Sequence, residues 1–333
     1  MKKTIVSVAA LLAIGLGSAS AADLGAKIYK KAPPIVAFDP WDIAFGSSIT
    51  NDYVFRGITQ SNHKPSVTAY FEPRYNVTKD VQLYAGVSAS SISFTNRASA
   101  ELDGYFGVRP TWGPAAFDFG FWYYGYPGGQ CIDSVPGGQA GVCGVGSGAN
   151  ALLNGNVLKK NVSFYEGYAK VNYTFNDNFS LGANAYYTPS YLNSGAEGTY
   201  ASITGKVIAP STWFGSTGIG SYVSGEFGRQ WLGTTSAFYS IPLGLGTGGI
   251  KYPDYNTWNI GIGFTYKVFT LDLRYSDTNI SKGDCNAFTG DFTAPAAGTD
   301  VTAINPFGGG SNWCGATGIV KLSADLTAMT NLK

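Results

Sequence analysis

The side chains that could do chemistry fall into three sets, and the first is a row of charges on one stretch of chain. Glu101, Asp103 and Arg109 alternate with Leu102, Phe106 and Val108 between Ser99 and Pro127. In an extended chain rising 3.3 to 3.4 Å per residue, the two carboxylates lie about 7 Å apart on one face. That spacing would suit acid-base work, but an arginine on the same face favours ion pairing. The second set is His63, the single histidine, beside Ser61 and Asn62. Neighbours in sequence do not build the geometry of nucleophile, base and orienting group, so a solvent-exposed loop histidine is expected, with no catalytic residue and no cofactor. The third set is the four cysteines, Cys131 and Cys143 in one glycine-rich stretch and Cys285 and Cys314 in another. They lack the short Cys-x-x-Cys or histidine spacing of a zinc site. The spacing predicts two disulfides, Cys131–Cys143 and Cys285–Cys314, each closing a loop for about 3 kcal/mol in the chain-entropy account.

The elements that must position these groups read as strands. After the turn at Trp112-Gly-Pro-Ala115 the alternation of the first stretch resumes, with Phe117, Phe119, Phe121 and Tyr123 on one face and Asp118, Gly120, Trp122 and Tyr124 on the other. Strict period-two alternation marks a strand with two unlike faces. A soluble sandwich would bury the phenylalanine row against a second sheet, whereas a membrane barrel turns it to lipid and the carboxylates to an aqueous interior.

The chain begins with Lys2, Lys3, an apolar run from Ile5 to Gly17, and Ala19-Ser-Ala21. This predicts a secretory signal peptide over residues 1–21. Residues 22–40 carry three lysines, Pro33 and Pro34 without periodicity and read as a periplasmic linker. Nowhere else do eighteen uncharged apolar residues run together, so a transmembrane helix is excluded. The sequence holds 45 Gly, 22 Tyr, 20 Phe and 7 Trp but only 13% charged residues, a sparse charge for a soluble domain. Net charge is +1, or −1 once Lys2 and Lys3 are subtracted, which excludes a field suited to nucleic acid.

Twelve strands can be laid on residues 41–328, followed by a tail over 329–333. The first is expected to run from Trp41 through Phe55. Connections after strands 2, 4, 6, 8 and 10 are short, while those after 5, 9 and 11 are long, and both cysteine pairs fall in long ones. That parity, with an even strand number, predicts an all-β, transmembrane, antiparallel up-and-down barrel with short periplasmic turns and long extracellular loops. Trp41, Tyr75, Trp112, Tyr173, Phe175, Phe179, Trp213, Tyr266 and Phe269 cluster near the short-turn ends as an interfacial girdle. The opposite parity places Asp42, Asp52, Arg56, Glu72, Arg74, Glu101, Asp103, Arg109, Asp118, Glu166, Lys170, Lys206, Glu226, Asp272, Arg274, Lys321 and Asp325 inside, as candidate pore-lining residues. Twelve strands stand between eight, where side chains fill the interior, and sixteen, where a channel stays open. An open pore and a lattice of ion pairs therefore both fit.

The motifs Asn51-Asp-Tyr-Val-Phe-Arg-Gly-Ile-Thr-Gln-Ser61, the hairpin ending Tyr123-Tyr-Gly-Tyr-Pro-Gly128, and Leu271-Asp-Leu-Arg-Tyr-Ser-Asp-Thr278 resemble the TorF family of porins, the domain called Gcw_chp. The resemblance covers most of the mature chain and implies a barrel in the outer membrane of a Gram-negative bacterium, but carries over no binding residues. The ending, Thr327-Ala-Met-Thr-Asn-Leu-Lys333, departs from the aromatic finish usual in such barrels. The expected function is passive diffusion of small hydrophilic solutes through a monomeric or trimeric channel in outer-membrane lipid. The alternative is a closed structural or adhesive barrel that binds a partner through its disulfide-tied loops.

Overall fold

The computed structural model describes residues 40–132, 142–143 and 154–332. The expected signal peptide and all but the last residue of the linker lie outside the described residues, as does most of the glycine-rich stretch after Ile132. Twelve strands form one closed antiparallel barrel. They are β1 (Trp41–Thr50), β2 (Ser66–Thr78), β3 (Val81–Ser91), β4 (Ala100–Trp112), β5 (Ala115–Gly125) and β6 (Phe164–Asn176). The second half comprises β7 (Phe179–Thr188), β8 (Gly198–Ile208), β9 (Ile219–Leu232), β10 (Tyr255–Tyr266), β11 (Phe269–Thr278) and β12 (Thr317–Thr327). Each strand pairs with its sequence neighbours. The ring closes through β1, which faces β2 with Trp41 opposite Tyr75 and β12 with Ala44 opposite Thr327.

The period-two pattern decides the faces. On β4, Glu101, Asp103, Tyr105 and Arg109 are buried, whereas Leu102 and Phe106 are exposed, Phe106 at 60%. Val87, Phe119, Phe121, Ile203, Phe227, Ile260, Leu271 and Leu322 repeat this on other strands and give the barrel an apolar outer wall. At the short-turn end Trp41 meets Tyr75 edge-on at 4.8 Å, and Tyr173, Phe175 and Phe179 run as a connected row, as the girdle predicts. Among the described residues no helix is long and apolar enough to cross a membrane.

Two features depart from the sequence reading. The first strand stops at Thr50, not Phe55, and residues 51–65 fold back into the barrel mouth. There Val54–Phe55 and Ile58–Thr59 form a two-residue ladder, a small hairpin belonging to no wall strand. The long-loop end is thus filled by a packed apolar cap instead of open loops. Tyr53, Ile58, Phe94, Tyr126, Phe164, Tyr191, Tyr252, Phe288 and Trp313 share this cluster. A helix, α1 (Lys282–Thr289), lies in the loop after β11, with Ser281 capping it by accepting the Asp284 N–H at 3.1 Å. Both predicted disulfides are formed, and Cys285–Cys314 ties α1 to the segment entering β12.

Candidate functional site: the barrel lumen

The interior is built by alternation, which sends every second residue inward, and by a pairing of inward tyrosines with inward glycines that the sequence reading missed. A methyl group added at Gly86 would overlap the Tyr105 ring, at Gly107 and Gly120 the Tyr84 and Tyr168 hydroxyls, at Gly228 the Tyr200 ring and at Gly263 the Tyr222 ring. Each ring therefore lies along the wall over a glycine on an adjacent strand. The abundance of both residue types was the available signal, but only strand register shows which glycine faces which ring.

The tyrosine hydroxyls then point at the carboxylates. Tyr84 donates to Asp118 at 2.6 Å, Tyr70 to Asp325 at 3.0 Å, Tyr200 to Glu226 at 2.9 Å, Tyr222 to Asp272 at 2.9 Å, and Tyr53 to Glu101 at 2.6 Å. Such bonds satisfy lone pairs of the carboxyl groups that burial would otherwise strand.

Towards the short-turn end the charges form a lattice on one side of the lumen. Arg109 Nη1 and Nη2 donate to the two Glu72 oxygens at 2.8 and 3.2 Å, and its Nε lies 3.5 Å from Asp118. The guanidinium also covers the Tyr84 ring at 3.6 Å. Arg74 Nε donates to Glu72 at 2.6 Å. On the opposite side Arg274 donates to Asp272 at 3.0 Å, to Asn259 at 2.5 Å and to Ser224 at 2.8 Å. Lys321 stands opposite Asp272 in the ladder. Lys170 and Lys206 lie over the rings of Tyr168 and Tyr222. Exposure is uneven: Arg109, Glu72 and Asp272 are buried, the Arg74 and Arg274 side chains, one on each side, keep 20% of their surface, and Lys206, Glu226 and Lys321 are half-buried.

Glu101 and Asp103 do not pair with Arg109, as the sequence reading expected. Arg109 lies six and eight residues further along β4, roughly 20 Å or more at strand rise, and Glu72 and Asp118 take it instead. Glu101 accepts from Tyr53, and Asp103 accepts from Ser88 at 2.8 Å.

At the long-loop end the lumen is crossed by Arg56, which arrives from the inward hairpin and not from a strand. Its Nη1 and Nη2 donate to the two Glu166 oxygens at 2.8 and 2.7 Å, and Nη1 also donates to Gln230 Oε1 at 3.0 Å. Its guanidinium covers the rings of Phe55, Tyr186 and Tyr200 at 4.4 to 4.9 Å. The two side chains of the Arg56–Glu166 pair retain 5% and 1% of their surface. Above it, burial pushes the Tyr191 and Tyr252 phenols up from their ordinary range, so the aromatic cap stays neutral.

Asp52 is not on a wall strand. It sits at the hairpin base, where Oδ1 accepts from Thr59 at 2.5 Å and lies 3.1 Å from Ser61 Oγ, while Oδ2 lies 2.8 Å from His63 Nδ1. Ser61 Oγ donates to the Lys64 carbonyl at 2.7 Å, and His63 Nε2 faces the Asn312 carbonyl at 3.1 Å. A base turned towards a carbonyl is not placed to take a proton from the serine. The three side chains bind the first long loop to the last. His63 is exposed in its loop and is also tied to this cluster.

With this geometry in hand, the chain can be set beside known proteins. A family model described as a bacterial protein of unknown function, Gcw_chp, matches residues 36–137. No curated protein matches the chain. Among solved structures, LpxR from Salmonella typhimurium shares 9% identity over 85% of this chain and 99% of its own, with a TM-score of 0.36. The NanC porin shares 7% over 86% and 100%, with a TM-score of 0.38. The TodX monoaromatic hydrocarbon channel, in a deltaS2 mutant, shares 12% over 87% and 90%, also at 0.38. By name a porin and a channel are among the similar structures, and at this identity no residue role passes from them to this chain.

Proposed function

We propose that this protein spans the outer membrane of a Gram-negative bacterium and passes small hydrophilic solutes by passive diffusion, without cofactor or catalysis. The long loops then face outward and the short turns and both barrel ends of the chain face the periplasm. The apolar outer wall supports the membrane setting, since lipid is the environment in which a continuous exposed belt of Phe, Leu, Ile and Val is stable. One observation carries the channel reading: the charged wall of β8–β12 keeps exposed surface inside the barrel, with Arg274 at 20% and Lys206, Glu226 and Lys321 half-buried. Charges that keep exposed surface inside a barrel leave room for water beside them, and their mixed signs would tune selectivity. Arg274, Lys206, Lys321, Glu226, Asp272 and Asp325 are the proposed lining, joined by Arg74 from β2, while Glu72, Arg109, Asp118 and Lys170 brace the rest of the interior.

A second reading, a closed barrel that binds a partner through its outer loops, draws on the near-complete burial of the Arg56–Glu166 pair across the mouth. Swelling of liposomes loaded with a size series of neutral sugars separates the two. The channel reading expects swelling with a sharp size limit. Absence of swelling in liposomes that hold folded barrel, for wild-type protein and for protein lacking the hairpin alike, would overturn it.

A further inference from the structure

We propose that the hairpin Tyr53–Gln60 is a gate and that the Arg56–Glu166 ion pair is its latch. This inference rests on the channel reading above and adds the element that closes the path. The wall is complete without the hairpin: β1 pairs with β2 from Trp41 to Thr50 and with β12 from Ala44 to Thr50, so the hairpin contributes no ladder to the barrel. It can leave the lumen without opening the sheet. Where it sits also matters. Arg56 covers rings on β7 and β8 and bonds Gln230 on β9, and Gly57 packs against Thr257 on β10 and Thr278 on β11. The tip therefore stands on the wetted side of the lumen, directly in the path that runs along β8–β12.

The tip is shaped for one fit. Arg56 has φ +47° and Gly57 φ +79°, the left-handed pair of a tight hairpin turn. Arginine in that region is disfavoured, and an added methyl at Gly57 would overlap Thr278, so the turn carries a backbone cost that the guanidinium contacts help to offset. What holds it is a bidentate ion pair with a second acceptor and three aromatic faces, almost without water. The rest of the hairpin is held by single contacts: Tyr53 donates to Glu101 at 2.6 Å, the Thr59 N–H to the Trp313 carbonyl and the Ser93 N–H to the Gln60 carbonyl, each at 3.0 Å, and an isolated bridge joins Ile58 to Cys314. On release, Arg56 moves to bulk water outside and Glu166, the third residue of β6 from the loop end, is left facing a water-filled mouth. Neither charge of the latch is then stranded, and Tyr53 gives up its hydrogen bond to Glu101 in the same movement.

The test is single-channel recording in planar bilayers of wild type, Arg56→Ala, Glu166→Gln and a variant with residues 53–60 replaced by a short Gly-Ser linker. Barrel integrity is confirmed beforehand by heat-modifiable gel mobility and protease resistance. Arg56→Ala and Glu166→Gln break the same latch from opposite ends, so both are expected to raise open probability by about ten- to a hundredfold over wild type. Wild-type current equal to that of the variants would overturn the gate and leave the channel reading standing. Conduction by the linker variant while both latch variants stay silent would overturn the latch alone. Silence of all four folded proteins would overturn the channel reading and the gate with it.

Discussion

The two ends of the lumen are filled by different means. At the short-turn end, Glu72, Arg74, Arg109 and Asp118 all stand on wall strands, and no member can leave without breaking ladder hydrogen bonds. At the long-loop end Arg56 stands on a hairpin outside the ladder and meets Glu166 on a strand. Both pairs are buried and bidentate, yet one is fixed and the other hinged. Burial and bond length alone do not tell a brace from a latch. What separates them is whether the partner residues share the same cooperative unit.

Breaking one member of each pair should expose that difference. The largest effect is expected at Glu72→Ala, which leaves Arg109 and Arg74 without their shared carboxylate in a site they cannot leave. A loss of about 3 to 5 kcal/mol is expected, read as the shift in urea unfolding of barrels in lipid vesicles. Phe106→Arg tests the outer wall by placing a charge at the centre of β4 on the exposed apolar face proposed to meet lipid. It should cost about 2 to 4 kcal/mol in the same assay or block assembly, and an unchanged midpoint would reverse the assigned faces.

Arg56→Ala comes third. The hairpin can swing out and let water reach Glu166, so global unfolding should shift by less than about 1.5 kcal/mol, the range of an ordinary hydrogen bond, while protease cleavage within residues 51–65 accelerates. A loss as large as that at Glu72 would make the hairpin part of the fixed barrel. Replacing Cys285 and Cys314 by serine frees α1 from the β12 entry and loosens the hinge side, so cleavage in the loops should rise without change in the wall's unfolding. The smallest effect is expected at Lys79→Ala, which removes an exposed ion pair with Asp80 in a short turn and should leave the midpoint unmoved.

Alternation by itself determined the barrel: period two over residues such as Glu101 to Arg109 fixes which side chains point inward, and the parity of long and short connections orders the strands. The disulfide pairs were equally legible, because each lies within one connection. Two things were decided only in three dimensions. Tyrosine recognition of the carboxylates depends on register between strands, as with Tyr84 reaching Asp118 on β5 from β3. Arg56 looked like one more inward residue on an extended β1, since its parity is right. The turn at Arg56-Gly57, however, sends the chain across the lumen, where the guanidinium meets Glu166, more than a hundred residues away. A periodic signal reports only on neighbours in the same strand, so a loop folded inward to meet a distant partner leaves no trace in it.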